Sequence, residues 1–419
     1  MDNITHSLAG LLLAESAVRL RARAEHAEPS PRFRAVAAVA SLIAANLPDG
    51  DLLYTGIGAS RLQYMLQHRG YTHTVVLALV GGLLVWCVAM LVWRWQTRRF
   101  PEASDARWLL GLLVVSTMSH LVLDWTNSYG VHPFWPFDNR WRYGDAVFII
   151  EPWLWVVSIP TLVAATTRRW ARVALSLVLL AGLVLAWRVS FVSKGAAAAL
   201  SIGAAFFVAL AYPLRPPARA VAAVLGWVGV TLTMALGAAR ARSAMLDALR
   251  QIDSRMEILD VVVSPLPANA ICMSVITVER SGEIYRASTA RVSATPSLVD
   301  AAHCGSRDVS GSGIGLSPRQ STPAVQWEGE WTGRHAELAA LVRESCTALA
   351  AMRFIRVPIW RSASDSAVRL GDLRYGGASG NGFANVIARA GETECPRRVP
   401  PWTPPREDVT GAMGLGASP

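Results

Sequence analysis

Long apolar runs separated by short polar loops fill the first 240 residues of the chain. A helix needs about 20 residues to cross the hydrocarbon core of a bilayer, and six runs approach or reach this length. Two earlier runs, 8–20 and 36–47, are shorter and richer in alanine. The pattern predicts an all-α polytopic membrane helix bundle. Two short N-terminal helices would precede the clearer spans 73–93, 108–124, 146–165, 171–187, 196–212 and 219–236.

The pattern changes after residue 250. Strand-like stretches at 258–263, 271–278 and 354–360, with a helical stretch at 335–352, predict a small α+β domain over residues 251–375. Residues 376–419 are rich in Gly, Pro and Ser, so we expect a mostly disordered tail. The membrane part divides into residues 1–165, which carry the candidate site, and additional transmembrane helices at 166–240.

Composition and charge agree with a membrane protein, at 52% hydrophobic residues and a mean hydropathy of +0.32. A net charge of +10 could indicate nucleic-acid binding. Much of the arginine, however, lies in short loops between apolar runs, where it predicts the orientation of the helices in the membrane, so no nucleic acid is expected. If all eight segments cross, alternate loops carry fourteen and six basic residues, so the richer set should be cytoplasmic and the C-terminal domain extracytoplasmic, that is, periplasmic. The richer set is Arg19, Arg21, Arg23, Arg32, Arg34, Arg94, Arg98, Arg99, Arg107, Arg168, Arg169, Arg172, Arg215 and Arg219.

Two further features bear on location. The first residues lack the basic segment and cleavage site of a signal peptide, so we expect the first helix to remain in the mature protein. Four of the five cysteines fall in the C-terminal domain or just after it, which suits an oxidising compartment. These four could form one or two disulfides, and three complete pairings are open: they are Cys272, Cys304, Cys346 and Cys395.

Histidines and acids gather at the predicted outer ends of the first spans. His120 and Asp124 are four residues apart on one helix, so their side chains rise from one face about 6 Å apart. Such groups near the apolar layer usually face the bundle interior and mark a functional site, and both are ligands for zinc and other divalent ions. Taken alone, Asp49 could merely cap a helix end after Pro48. The predicted metal ligands are His6, Asp49, His68, His73, His120 and Asp124.

Four more residues are candidates for catalysis. A metal-bound water becomes a nucleophile near neutral pH, and Asp51 or Glu151 would orient or deprotonate it. Glu151 could instead satisfy the helix that Pro152 interrupts. Arg69 and Arg142 could meet an anion such as phosphate, whose oxygens match a guanidinium fork, or could simply flank the membrane.

Several segments together resemble the YdjM-like family of inner-membrane metal-dependent hydrolases: MDNITHSLAG, ANLPDGD, QHRGYTHT, SHLVLDWTNSYG and WRYGDAVFIIEPWLW. The resemblance is strong over residues 1–165. It implies a bacterial inner-membrane protein in which the six histidines and acids bind metal. The family looks distantly similar to zinc-dependent phospholipase C and P1 nuclease, whose His-x-x-x-Asp pair, matched here by His120 and Asp124, contributes to a multi-metal centre that cleaves phosphoesters. The N-terminal tryptophan ligand of those enzymes has no counterpart in this sequence.

The sequence thus predicts a membrane-bound hydrolase that uses a divalent metal, with zinc as the first candidate, to cleave a phosphoester at the periplasmic boundary. The bilayer and a lipid or phosphorylated substrate would be its partners. The alternative is a non-enzymatic membrane protein with a structural metal, whose outer domain binds an envelope partner. Ion transport is disfavoured because no chain of acids and histidines continues through the later spans. The oligomeric state is left open.

Overall fold

The computed structural model describes residues 1–56, 60–305, 314–379 and 382–411. The N-terminal part is helical, and antiparallel strands follow it. The helices are α1 Asn3–Glu25, α2 Pro31–Asn46, α3 Leu52–Thr55, α4 Arg61–Gln67, α5 Val75–Thr97, α6 Ala103–Trp125, α7 Pro152–Ala165, α8 Arg169–Arg188, α9 Lys194–Ala211, α10 Pro216–Ile252, α11 His335–Glu344, α12 Cys346–Ala351 and α13 Glu407–Thr410. The strands are β1 Glu257–Leu266, β2 Asn269–Ser281, β3 Ile284–Ser293, β4 Gly315–Leu316, β5 Val325–Arg334, β6 Pro358–Ser364, β7 Ala367–Asp372 and β8 Asn385–Ala388.

Five helices of the described chain, α5, α6, α8, α9 and α10, are long and apolar enough to cross a membrane. A sixth is added if α2 and the helical turns after it count as one span bent by 52°. Helix α7 is shorter than the predicted run 146–165, because it starts only at Pro152, whose missing amide hydrogen suits the first helical position. The expectation of six clear spans is therefore corrected at this segment.

Close packing of small residues holds the first helices together. Phe33 and Ala37 of α2 are fully buried in one apolar cluster with Leu109 and Leu113 of α6. At Gly10 of α1, an added Cβ would lie 2.6 Å from the Ser41 carbonyl oxygen of α2. The backbones of α1 and α2 therefore approach closely, which fixes the positions of the chain segments at their ends.

Helix α10 connects the helical part to the sheets. Its 37 residues extend over about 55 Å, well beyond the roughly 30 Å of a hydrocarbon core. In its second half, Ala241, Met245 and Leu249 are fully buried against Val263 and Met273 of the first two strands. Helix α10 therefore packs on one apolar face of the larger sheet.

The C-terminal domain contains two antiparallel sheets. The larger has the strand order β1-β2-β3-β5-β4 and the smaller the order β6-β7-β8. In the first hairpin, Val262 lies opposite Ile276. The structure pairs all four cysteines of this part of the chain, and of the three possible pairings it selects Cys272–Cys304 and Cys346–Cys395.

Three predicted elements of this domain differ from the structure. The helix expected at 335–352 is interrupted at Ser345, whose side chain caps α12. The strand expected at 354–360 begins only at Pro358. Residues 382–411, expected to be disordered, contain β8 and α13 and the fully buried Trp402, because these residues pack against the rest of the chain. Residues 412–419 of the predicted tail lie outside the described residues.

The C-terminal domain and the helical part share a hydrophobic core. Met65 and Leu66 of α4, with Tyr129 and Trp141 of the loop after α6, are buried in the same cluster as the sheet residues. Trp402 donates a hydrogen bond from Nε1 to the Leu66 carbonyl oxygen at 2.8 Å. These contacts fix segment 60–73 and loop 126–151, two of the chain segments from which the candidate site is built.

Candidate metal centre

Helices that alternate in direction bring distant histidines and acids together. Asp49 lies on the short 3₁₀ turn Pro48–Asp51 after α2, and His73 ends the turn Tyr71–His73 before α5. His120 and Asp124 lie one turn apart near the end of α6. The four side chains are buried and could together hold a metal ion.

The distances from the two histidine nitrogens to the acids and to each other are close to those in a tetrahedral ligand set. His73 Nε2 lies 3.4 Å from Asp49 Oδ1 and 3.0 Å from Asp124 Oδ2. His120 Nε2 lies 3.5 Å and 3.4 Å from the same two oxygens, and 3.1 Å from His73 Nε2. Metal–ligand bonds of about 2.0–2.2 Å place tetrahedral ligand atoms about 3.3–3.6 Å apart. One small divalent ion therefore fits between these atoms.

The second nitrogen of each histidine has a partner that fixes the ring. His120 Nδ1 lies 2.7 Å from the Ala45 carbonyl oxygen, which can only accept, so Nδ1 carries the proton and Nε2 is left as a lone-pair donor. His73 Nδ1 lies 3.0 Å from Thr72 Oγ1. Metal-binding histidines are commonly oriented in this way by a carbonyl or polar group behind the ring.

His6 of α1 lies beside the four-residue group. Its ring stacks on that of His120 at 3.7 Å, and its Nε2 lies 3.2 Å from Asp124 Oδ1. The α-amino group of Met1 donates to the same carboxylate oxygen. His6 Nδ1 is buried without a hydrogen-bond partner among the described residues. His6 therefore contacts the opposite oxygen of Asp124 from the one that faces His73 and His120.

Asp51 and His68 form a second, adjacent group with Asp49, which could also hold a metal ion. Asp51 Oδ1 lies 2.9 Å from His68 Nδ1. Asp51 Oδ2 accepts hydrogen bonds from the backbone amide of Arg69 and from Thr72 Oγ1, both at 2.9 Å. Both oxygens of this buried carboxylate are therefore engaged, and Asp51 ties the segment containing His68 and His73 to the turn containing Asp49.

Arg69 connects the group to the loop after α6. Its backbone φ of 57° lies in the left-handed region, where a non-glycine residue is strained. Its Nε lies 3.0 Å from Asp124 Oδ2, its Nη1 donates to Asn127 Oδ1 at 3.1 Å, and its guanidinium carbon lies 4.8 Å from the Tyr129 ring centre. Of the two predicted anion-binding arginines, this one lies at the site.

With the four neighbouring histidines neutral, as metal binding requires, the buried acids outnumber the cationic groups around them. The carboxylates of Asp49, Asp51 and Asp124 lie together, whereas Arg69 and the amino group of Met1 are the basic groups in contact with Asp124. Burying charge without compensation is costly, and removal of one partner of a buried pair is strongly destabilising. A bound divalent cation would balance the excess negative charge.

The acids and histidines of both groups lie in a part of the chain that matches a known protein family. Residues 1–195 match the model of the YdjM inner membrane protein family. We call these residues the YdjM region. Comparisons with curated proteins and with solved structures find no match. The distant similarity to phospholipase C and P1 nuclease therefore stays a prediction.

All six predicted metal ligands of the YdjM region lie in or beside the two acid–histidine groups, and Asp51 and Arg69 lie there too. Glu151 and Arg142 do not reach these groups. Glu151 caps α7 and accepts from the backbone amides of Trp153 and Ala268, because the first turn of α7 and the first hairpin turn each present an amide that needs a partner. Arg142 is partly exposed and pairs with Asp138.

Several residues of the site were not predicted. Thr72 and Asn127 hydrogen-bond to His73 and Arg69, and Tyr129 packs on Arg69. His132 is buried between the rings of Trp141 and Trp402, each 3.8 Å away. The proximity of Asn127 and Tyr129 to Asp124 in sequence was a usable signal, whereas nothing local pointed to Trp402.

Proposed function

We propose that the chain is a membrane-bound, metal-dependent hydrolase whose ion is held by Asp49, His73, His120 and Asp124. The observation that carries the proposal is the spacing of these four donors at 3.0–3.5 Å, inside a buried group of excess acidity. Imidazole and carboxylate ligands favour zinc. A phosphoester is the proposed substrate, with lipid-linked phosphoesters as the first class to test.

The arginine distribution supports a periplasmic site. Fourteen basic residues lie at or near one set of helix ends, and the donors come from helix ends in the alternate set. Arg219 at the start of α10 interacts electrostatically with Arg19 near the end of α1, as expected if the arginine-rich ends share one side. The C-terminal domain, which follows α10, would then lie in the periplasm above the site.

The residues of the chain have separate roles in the proposed reaction. A bound divalent ion would lower the pKa of a coordinated water and polarise a phosphoryl oxygen. Asp51 holds Nδ1 of His68, so the Nε2 of that ring is left to accept a proton. The ring centres of His68 and His73 are 6.0 Å apart, which places this acceptor next to the proposed ligands. Arg69 offsets the charge of Asp124 and is available to a substrate anion.

Metal content of the purified protein tests the proposal. The full chain in detergent should contain about one or two equivalents of zinc or another divalent ion. The double variant His120→Ala, Asp124→Ala should lose most of it, whereas His26→Ala, at the exposed end of α1, should keep it. Because the double variant removes buried groups, the more conservative His120→Gln is measured beside it, with tryptophan fluorescence as the check of folding. Unchanged metal content in folded His120→Gln and in the double variant would overturn the metal centre.

A structural metal is the second candidate, and the complete burial of His73, His120 and Asp124 favours it. A closed set of four protein ligands is typical of structural zinc, whereas catalytic sites keep one position for water. In that case chelation would lower the melting temperature, and no phosphoester of a lipid and sugar-phosphate panel would be cleaved. Metal-dependent turnover of one panel member would exclude a purely structural role.

A further inference from the structure

Two tyrosines near Arg69 have buried hydroxyls with no hydrogen-bond partner within the described residues. They are Tyr129, in the loop after α6, and Tyr375, in the C-terminal domain. Asn127 Nδ2 is buried without a partner as well, although its Oδ1 accepts from Arg69 and from the Tyr129 amide. Leaving such groups unsatisfied is unfavourable, by an amount comparable to a lost hydrogen bond for each group. This concentration of spare donors next to a candidate metal centre points to a ligand.

Aromatic rings from three separate segments surround these donors. The Tyr129 ring lies 5.6 Å from the His68 ring and 5.8 Å from the Tyr375 ring. Phe383 of the C-terminal domain lies 4.7 Å from Tyr375 and 5.3 Å from Tyr64 of α4. The C-terminal domain therefore covers the metal centre with residues that reach the histidine segment, and Tyr64, which is partly exposed, lies at the edge of this cover.

All three tyrosine hydroxyls interact with the charge of Arg69. Burial raises the pKa of Tyr129 well above its usual value and that of Tyr375 to about 12. The positive charge of Arg69 opposes the rise in Tyr129, and the charges of Arg374 and, to a smaller extent, Arg69 oppose it in Tyr375. The phenols are therefore neutral at physiological pH and can donate hydrogen bonds. Tyr64 also interacts with Asp49 and Asp51, which places it near the acids of the centre.

From this arrangement we infer that Tyr129, Tyr375 and Asn127 form, with Arg69, a subsite for a phosphoryl oxyanion. The inference rests on the proposed function, because the anion would be the group presented to the metal centre. Hydroxyl, amide and guanidinium donors match phosphate oxygens, and hydrogen bonds to a charged acceptor are the stronger kind. Tyr375 makes the C-terminal domain a part of the binding site and not merely its support.

Phosphate binding to tyrosine-to-phenylalanine variants tests the subsite. Tyr129→Phe and Tyr375→Phe each remove one oxygen and keep the ring, so packing is disturbed little. The matched control is Tyr285→Phe, because the Tyr285 hydroxyl is also buried and unpartnered within the described residues but lies in the sheet core. Binding of inorganic phosphate to the metal-loaded full chain in detergent is measured by calorimetry. We expect each site variant to weaken phosphate binding about tenfold or more, and Tyr285→Phe to leave it unchanged.

A second arm separates free phosphate from a lipid headgroup. The same proteins are titrated with phosphatidic acid in phosphatidylcholine nanodiscs. Binding of either probe that weakens in Tyr129→Phe and Tyr375→Phe supports the subsite, and the probe that binds identifies the source of the anion. Equal affinity of all variants, or no binding of either probe by the parent protein, overturns it.

The outcome is independent of hydrolysis. Phosphate binding that depends on the two hydroxyls, in a protein that cleaves no phosphoester, would keep the subsite and reject the hydrolase. Conversely, metal-dependent cleavage with unaltered phosphate affinity in the variants would keep the hydrolase and reject the subsite.

Discussion

Arg356 is the residue whose removal should most clearly loosen the C-terminal domain from the YdjM region. Its buried guanidinium donates to both oxygens of Asp145, each at 2.9 Å, and to both oxygens of Asp260, at 2.7 and 3.1 Å. It also lies 4.1 Å from the ring centre of Tyr143. Asp145 belongs to the loop after α6 and Asp260 to β1, so one side chain joins both parts of the molecule.

Replacing Arg356 with methionine keeps most of the stem and removes the charge. Asp145 retains a bond to Arg242 at 3.1 Å, but Asp260 loses the guanidinium that lowers its pKa. Breaking a buried ion pair from one side costs about 3–5 kcal/mol, a large part of the roughly 5–15 kcal/mol that stabilises a typical fold. At about 2–4 °C per kcal/mol for a domain of this size, the melting temperature should fall by about 6–20 °C.

Thermal unfolding in detergent, followed by tryptophan fluorescence, measures the effect. The control is Arg280→Met, which removes the more exposed Arg280–Glu257 pair between β1 and β2 and should cost about 1 kcal/mol or less. Adding Asp260→Asn to Arg356→Met should recover part of the loss, because one unpaired carboxylate is removed. A melting temperature for Arg356→Met within about 2 °C of Arg280→Met would refute the reasoning.

Two further predictions concern the surroundings of the centre. Burial lowers the pKa of His132 from 6.5 to about 3, so the folded protein binds fewer protons there and loses stability as pH falls from 6.5 toward 3. At pH 5 the loss relative to pH 8 should be about 2 kcal/mol. His132→Phe should show a correspondingly weaker pH dependence of unfolding, and identical pH profiles of the two proteins would contradict the assignment. Gly10→Ala should push α1 away from α2 at a cost of about 1–3 kcal/mol and lower the metal content. At Gly111 an added Cβ meets nothing within 4 Å, so Gly111→Ala should be neutral or slightly stabilising in the same unfolding and metal assays. Equal behaviour of the two variants would count against close helix contact.

Candidate site residues differed in how far local sequence revealed them. His120 and Asp124 share a helix face by spacing alone, and the direction of successive helices follows from alternation, so their convergence with His73 could be anticipated. For Glu151 and Arg142 the sequence left alternatives open, because an acid or arginine near a span end has the same local sequence whether it faces the site, caps a helix or pairs locally. Those alternatives differ only in tertiary contacts, which the spacing of residues along the sequence does not encode.

The sequence by itself determined which segments are apolar helices, where the chain changes from helices to strands, and that acids and histidines accumulate at alternate helix ends, since hydropathy and periodicity are local properties. The tertiary structure alone decided the donor spacing, the disulfide pairing and the position of Tyr375 beside Tyr129. It also showed that residues 382–411 pack into the fold, because Trp402 meets Leu66 and His132. Partners so far apart in the chain leave no periodic signal, and their pairing is chosen by which arrangement buries the most apolar surface while satisfying the buried polar groups.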